Sequence, residues 1–414
     1  CLGVVSEMEW GYTTASGACC GVGSTLSCPD SVTSSWIGGI IPSESISIPA
    51  STDFDVRRTH TVYRSPSQRV TVLDSDSGAR ITTSGDGGLT WSSPFSIVSL
   101  FPLSNPALPV GYSVSQVETV HPALSGSVVD STVYLSFVTR DKLTQKGSIF
   151  FAQCSATDCG QANNWSDPIP LLDAAVDQEV NQQGNGFDWK YKFSFPDIRA
   201  TSEMIHVIFD DGETDSGARI QGIFHRACEV STGCLANSDW LSPSGNPDVI
   251  ASSFSPNNGY PHAPSLLTLP IDRVAVSWVD FFSAGGGLNQ LFVSEYEPSS
   301  PSSGSWSVPL PIASADSYSF PTLMGAEDGW RIVSLTGNGL KAFECSSESC
   351  SSPATWNDVS SALSIFNGTT NLSHVTGWAF SSDFNKWVVL GDAFSGSFQR
   401  VVGVVVTNGV GSSL

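Results

Sequence analysis

The chain has 414 residues, 40% apolar and 14% charged, with 38 Gly, 24 Pro and 12 Trp but only 3 Met. Ser, Gly and Pro interrupt helices, which excludes a helical protein, and the load of Val, Ile, Phe and Trp excludes a disordered one. A net charge of −21 with no basic run longer than Arg57-Arg58 excludes a nucleic-acid partner, and no apolar run reaches the roughly 20 residues of a membrane-spanning helix.

Residues 1–18 read as a leader segment without a sheet of its own. The chain starts at Cys, which points to a removed signal peptide and an extracellular or cell-surface location. A lipid anchor on Cys1 is the alternative to a disulfide there, and the even total of 10 cysteines favours the disulfide. Cys1, Cys19, Cys20 and Cys28 allow several pairings, Cys1–Cys19 and Cys20–Cys28 among them.

Further along, one pattern recurs. Cys154 to Cys159 to Trp165 and Cys345 to Cys350 to Trp356 read C-x4-C-x5-W, and Cys228 to Cys234 to Trp240 reads C-x5-C-x5-W. The tight CxxC spacing of a metal site is missing, so three local disulfides are expected, in an oxidising setting. Versions without Cys end at Trp91 and Trp306, and a looser one runs from Cys20 through Cys28 to Trp36. Upstream of the Trp, a second element opens each unit: His121-Pro122, Phe195-Pro196, Tyr260-Pro261 and Phe320-Pro321. Each opening leads into a β-rich run such as Val133–Val138 or Ile205–Phe209.

Four short strands per unit, repeated every 50 to 75 residues, describe an all-β, six-bladed β-propeller of four-stranded antiparallel blades. The blades are expected at 56–98, 119–171, 193–243, 259–312, 318–360 and 373–407, within one domain spanning 19–414. The last blade lacks a Trp strand, so residues 19–40 are expected to close it and hide both edges.

The sharpest turn is Ser84-Gly-Asp86-Gly-Gly88-Leu-Thr90-Trp91. It resembles the Asp box (BNR repeat) of sialidase-like propellers, S-x-D-x-G-x-T-W, at every defined position. The resemblance implies a structural role for Ser84, Asp86, Gly88 and Trp91. It also implies a site made of an arginine triad, a Tyr nucleophile activated by Glu, and an Asp acid/base. The matching positions are Arg58 for the first arginine, Asp74 or Asp76 for the acid/base, Glu118 for the Glu and Tyr260 for the nucleophile. Arg219 and Arg273 are further arginines outside any motif. The R-I-P motif of the family is absent: Val56-Arg57-Arg58-Thr59-His60 stands in its place.

Placed at the blade openings, Arg58, His121, Phe195, Tyr260, Phe320 and His374 form a ring at one channel end, suited to sugar stacking or simply plugging the channel. His60, His121, His262 and His374 are candidates for lyase chemistry. The insertion Asp173–Lys192, with Trp189 and Tyr191 among amides, is a candidate binding surface. Asp210, Asp211, Glu213 and Asp215 are a candidate calcium cluster, with a solvated acidic hairpin as the plainer reading. No other cofactor or metal is expected. Asn164, Asn367 and Asn371 begin glycosylation sequons.

Two functions follow. The favoured one is a non-catalytic extracellular protein that recognises glycan or protein, or assembles with itself into a surface layer or filament. The alternative is a carbohydrate-active enzyme, a sialidase-like glycoside hydrolase or a polysaccharide lyase.

Overall fold

A computed structural model describes most of residues 58–413 and three short strands before them; the larger spans outside the description are 103–116, 142–146, 172–178, 189–194, 211–220, 242–247, 254–259, 282–288 and 364–371. Among the described residues the regular structure is strands joined by turns and single turns of 3₁₀ helix.

Strands β1 (Gly11–Thr13), β2 (Cys19–Gly21) and β3 (Ser35–Trp36) form a small antiparallel sheet. Sheet I follows, with β4 (Arg58–Tyr63), β5 (Arg69–Asp74), β6 (Arg80–Ser84) and β7 (Phe95–Ser96). Sheet II holds β8 (Val117–Gly126), β9 (Val133–Asp141), β10 (Gly147–Cys154) and β11 (Ile169–Pro170). A two-stranded ribbon, β12 (Glu179–Val180) and β13 (Phe187–Asp188), interrupts the polar insertion. Sheet III holds β14 (Asp197–Ala200), β15 (Met204–Asp210), β16 (Gln221–Glu229), β17 (Trp240–Leu241) and β18 (Asp248–Ser253). Sheet IV holds β19 (Tyr260–Thr268), β20 (Val274–Phe281), β21 (Gln290–Ser300), β22 (Ser303–Trp306) and β23 (Leu310–Ala313). Sheet V holds β24 (Ser319–Ala326), β25 (Gly329–Thr336), β26 (Gly339–Cys345) and β27 (Trp356–Asp358). Sheet VI holds β28 (Leu372–Phe380), β29 (Asp383–Ser395), β30 (Phe398–Thr407) and β31 (Val410–Ser413). In sheets III and IV the fourth strand is split: β17 and β18 share one edge of β16, and β22 and β23 share one edge of β21.

Every pairing within the six sheets is antiparallel, and the first strand of each packs against the first strand of the next, from sheet I to sheet VI. The second strands read Arg-Val-Thr-Val-Leu-Asp and Met-Ile-His-Val-Ile-Phe-Asp, and both are buried along their whole length. A strand covered on two faces needs no polar alternation, and these sheets are sandwiched between neighbours. The core is accordingly layered. One layer joins sheets I and II through Val72, Ile81, Leu135 and Phe137; another joins II and III through Phe151, Ile205 and Trp240. Ile208, Leu266 and Trp278 fill the layer between III and IV, and Leu291, Leu323 and Trp330 that between IV and V.

The N-terminal segment does not complete the last sheet. β31 pairs with β30, giving sheet VI its own fourth strand, and Ser35–Trp36 pair with β1 instead. β30 and β31 pair antiparallel, with Thr407 opposite Val410.

The three expected local disulfides are present: Cys154–Cys159, Cys228–Cys234 and Cys345–Cys350. In each turn the Trp indole N–H donates to the carbonyl of the second Cys, at 2.9 Å for Trp165, 3.3 Å for Trp240 and 3.1 Å for Trp356. In sheet IV, Tyr296 takes the place of the first Cys, opposite Trp306 as Cys228 is opposite Trp240. The pairing among Cys1, Cys19, Cys20 and Cys28 lies outside the described residues.

Candidate functional site

Three features gather where the second strands end. The first is a backbone irregularity. The inner strands of sheets II, IV and V each carry a bulge at an X-Pro pair, with His121, Ala263 and Phe320 at φ of 50°, 52° and 46°. A residue before Pro prefers extended backbone, so each left-handed conformation stores about 1–3 kcal/mol and needs surroundings that enforce it.

The second feature enforces it. Asp74 ends β5 of sheet I and accepts the His121 backbone N–H of sheet II at 3.1 Å. Asp210 ends β15 of sheet III and accepts the Ala263 N–H of sheet IV at 3.0 Å and the Phe195 N–H at 2.6 Å. Both carboxyl groups are buried. Each clamps the bulge of the next sheet, so their first role is to hold neighbouring sheets in register.

The third feature is chemical. The Asp74 Oδ2 that holds the His121 backbone also lies 3.1 Å from His121 Nδ1. This contact fixes the ring and directs the other nitrogen, Nε2, away from the carboxyl. The His121 ring is 4.4 Å from that of Phe195, and Phe195 meets Phe320 edge-on at 5.8 Å. Three rings, on or beside the inner strands of sheets II, III and V, therefore lie together. In sheet IV, Asp280 lies one residue before the end of β20, on the same strand face as Trp278 two residues earlier. Trp278 packs with Ile208 of sheet III, so this face looks towards sheet III. Burial pushes the Asp280 carboxyl up to about 6, opposed by the Trp278 indole N–H donating to it at 3.2 Å. A partly buried carboxyl raised by burial is suited to donating a proton near neutral pH.

The structure sorts the sequence candidates. The rings of His121, Phe195 and Phe320 lie together. Tyr260 pairs in register with Phe281, and the bulge of this strand falls three residues later at Ala263-Pro264, whose Ala263 N–H reaches Asp210. His374 lies within the irregular stretch of β28 between Leu372 and Val375. Arg58 pairs in register with Asp74 and so stands at the right end, while Glu118 lies on β8 three residues before His121. Arg273 precedes the start of β20 and pairs with Glu295 at 3.3 Å. Asp76, Arg219, Trp189 and Tyr191 lie outside the described residues, as do Asp211, Glu213 and Asp215. Asp210 is fully buried, so it belongs to no solvated hairpin, and both its oxygens already hold backbone donors.

Asp86 is bonded within its own turn, accepting from Ser84 Oγ at 2.8 Å, from Thr90 N–H at 2.9 Å and from Thr90 Oγ1 at 2.6 Å. This matches a structural role; Gly88 lies outside the described residues. Asn164 is half-buried and its Nδ2 donates to Asp158 O at 2.6 Å, so the sequon nitrogen is engaged in the disulfide turn. Asn367 and Asn371 are outside the description. The sequence reading missed Asp280 as a candidate, although an Asp near the end of four second strands, at 74, 141, 210 and 280, is a pattern visible in the chain.

No protein-family model matches the chain, and no curated protein matches it. Its fold is shared with solved structures. A protein of unknown function from Dyadobacter fermentans superposes with a TM-score of 0.54 at 14% identity, covering 86% of this chain and 95% of that one. An α-L-arabinanase from Penicillium chrysogenum, solved with arabinobiose, superposes with a TM-score of 0.51 at 15% identity, covering 86% of this chain and 96% of that one. The chain thus has a β-propeller fold of the kind found in glycoside hydrolases. The likeness does not single out the sialidase type expected from the Ser84–Trp91 turn.

Proposed function

We propose that the chain is an extracellular carbohydrate-active enzyme of glycoside hydrolase type, built as a six-bladed propeller that acts on a glycan at the channel end. The observation that carries this reading is the convergence of the Asp74–His121 pair with the rings of Phe195 and Phe320; Asp280, raised by burial, stands near the corresponding end of its own second strand. Three disulfides fit an oxidising, extracellular setting.

In this reading Asp280 donates its proton to the glycosidic oxygen as the bond to the anomeric carbon breaks. A water molecule forms the new bond to that carbon and passes its proton to His121 Nε2. Asp74 holds the ring so that this nitrogen faces the water, and it stabilises the imidazolium that forms. Phe195 and Phe320 offer ring faces to the apolar side of a sugar. The same surface without turnover is the non-catalytic glycan-binding reading. Self-assembly and protein recognition have no support in the site.

The test is product release from a panel of polymers, with arabinan, galactan, sialosides and polyuronate as arms. Turnover of at least one is expected, and Asp280→Asn should lower it about 10²–10⁴-fold while keeping the wild-type melting temperature. Oligosaccharide binding with no turnover across the panel would favour the non-catalytic reading.

A further inference from the structure

The seam between sheets III and IV contains a buried polar chain that the proposed chemistry does not use. His206 on β15 and His225 on β16 are 0% and 1% exposed. His206 Nδ1 lies 3.0 Å from His225 Nε2, and Trp306 Nε1 on β22 donates to His225 Nδ1 at 3.2 Å. The ring of Tyr296 on β21 lies 5.3 Å from that of His206 and 5.2 Å from that of His225.

The direction of these bonds can be derived. An indole N–H only donates, so His225 Nδ1 is the acceptor. The hydrogen of His225 is then on Nε2 and is donated to His206 Nδ1. The hydrogen of His206 is therefore on Nε2, which meets no acceptor among the described residues. Both imidazoles are neutral in this arrangement, and each of their facing nitrogens has a fixed role.

We propose that this chain of donors is an acid-operated latch between sheets III and IV: a proton on either imidazole sets two donors face to face and opens the seam. A proton on His206 Nδ1 meets the His225 Nε2–H, and a proton on His225 Nδ1 meets the Trp306 indole N–H. Burial, then the neighbouring His225, holds His206 well below the usual histidine range. The folded chain thus resists a proton that the unfolded chain accepts below about pH 6.5. The stability from the neutral pair is present above that pH and is lost as pH falls through it.

Other charged groups on this seam are accounted for. Asp197 and Arg199 on β14 pair with each other at 2.8 Å, and Asp197 also accepts the Leu266 N–H at 2.8 Å. Asp248 stands opposite His225 in register. Asp280 is at the far end of β20. Arg226 and Glu295 turn to other partners, Asn237 and Arg273.

The experiment is urea unfolding of the disulfide-intact chain, followed by Trp fluorescence at pH 7.5, 6.5 and 5.5. It is run in an Asp280→Asn background, which removes a carboxyl that burial raises into this range. With His206 present, the unfolding constant should rise about tenfold more between pH 7.5 and 5.5 than in His206→Leu or His206→Gln. His206→Gln serves if His206→Leu does not fold. An equal rise in all three proteins would overturn the latch. Hydrogen exchange at pH 5.5 should show protection lost first in residues 204–210, 221–229 and 290–306; earlier loss elsewhere would also overturn it.

Discussion

Asp74, Asp210 and Asp280 occupy similar places near the ends of second strands and do different things. The first two hold backbone N–H groups of a neighbouring inner strand, and removing either leaves buried donors unpaired. Asp74→Ala should cost about 1–3 kcal/mol in urea unfolding, since the His121 N–H loses its acceptor. Asp280 holds no backbone donor in the described contacts and is kept protonated by burial to about 6. Its acid form is lost as pH rises through that value. The corresponding limb of kcat/KM should therefore fall about tenfold between pH 5 and pH 7, and Asp280→Asn should remove that limb. Asp74 stood out in the sequence as an acid/base candidate by blade position; its bonds to the His121 N–H and ring were not legible there. The role of Asp280 was not, because its pKa depends on Trp278 and the facing sheet, which no local pattern encodes.

The turns were the most legible elements. In C-x4-C-x5-W and its variant, the disulfide, the Trp and the bond between them all close within about a dozen residues, so local chemistry fixes the turn. Trp165→Phe should cost about 1 kcal/mol in the same assay, because the Cys159 carbonyl loses its indole donor. Sheet IV replaces the disulfide with packing: a Cβ at Gly304 would lie 2.3 Å from Tyr296 Cζ and 2.7 Å from the Glu297 carbonyl oxygen. Gly304→Ala should lower stability by about 1–3 kcal/mol, and a neutral effect would contradict the close approach. The bulge of sheet IV was not legible. Tyr260-Pro261 and Ala263-Pro264 are equivalent as dipeptides, and only the distant Asp210 selects the second. The pairing of β31 with β30 was not legible, because Val410–Ser413 carries no Trp to mark a fourth strand.

At the scale of the molecule, the sheets are joined by layers of apolar side chains and by short polar staples on the inner strands. Ala200 N–H donates to Ser125 Oγ at 2.9 Å, Leu266 N–H to Asp197 at 2.8 Å and Leu323 N–H to Ser265 Oγ at 3.1 Å. Such contacts between distant residues leave no trace in periodicity, which is why strand repetition revealed the architecture but not how blades lock together. They tie each inner strand to the next, as a site shared between sheets would require. The most direct measurement is a crystal structure of the Asp280→Asn protein soaked with an oligosaccharide that the wild type cleaves. The account predicts sugar density over His121, Phe195 and Phe320, with a glycosidic oxygen within hydrogen-bond reach of residue 280. Sugar bound only at the opposite end, among the disulfide turns, would contradict it.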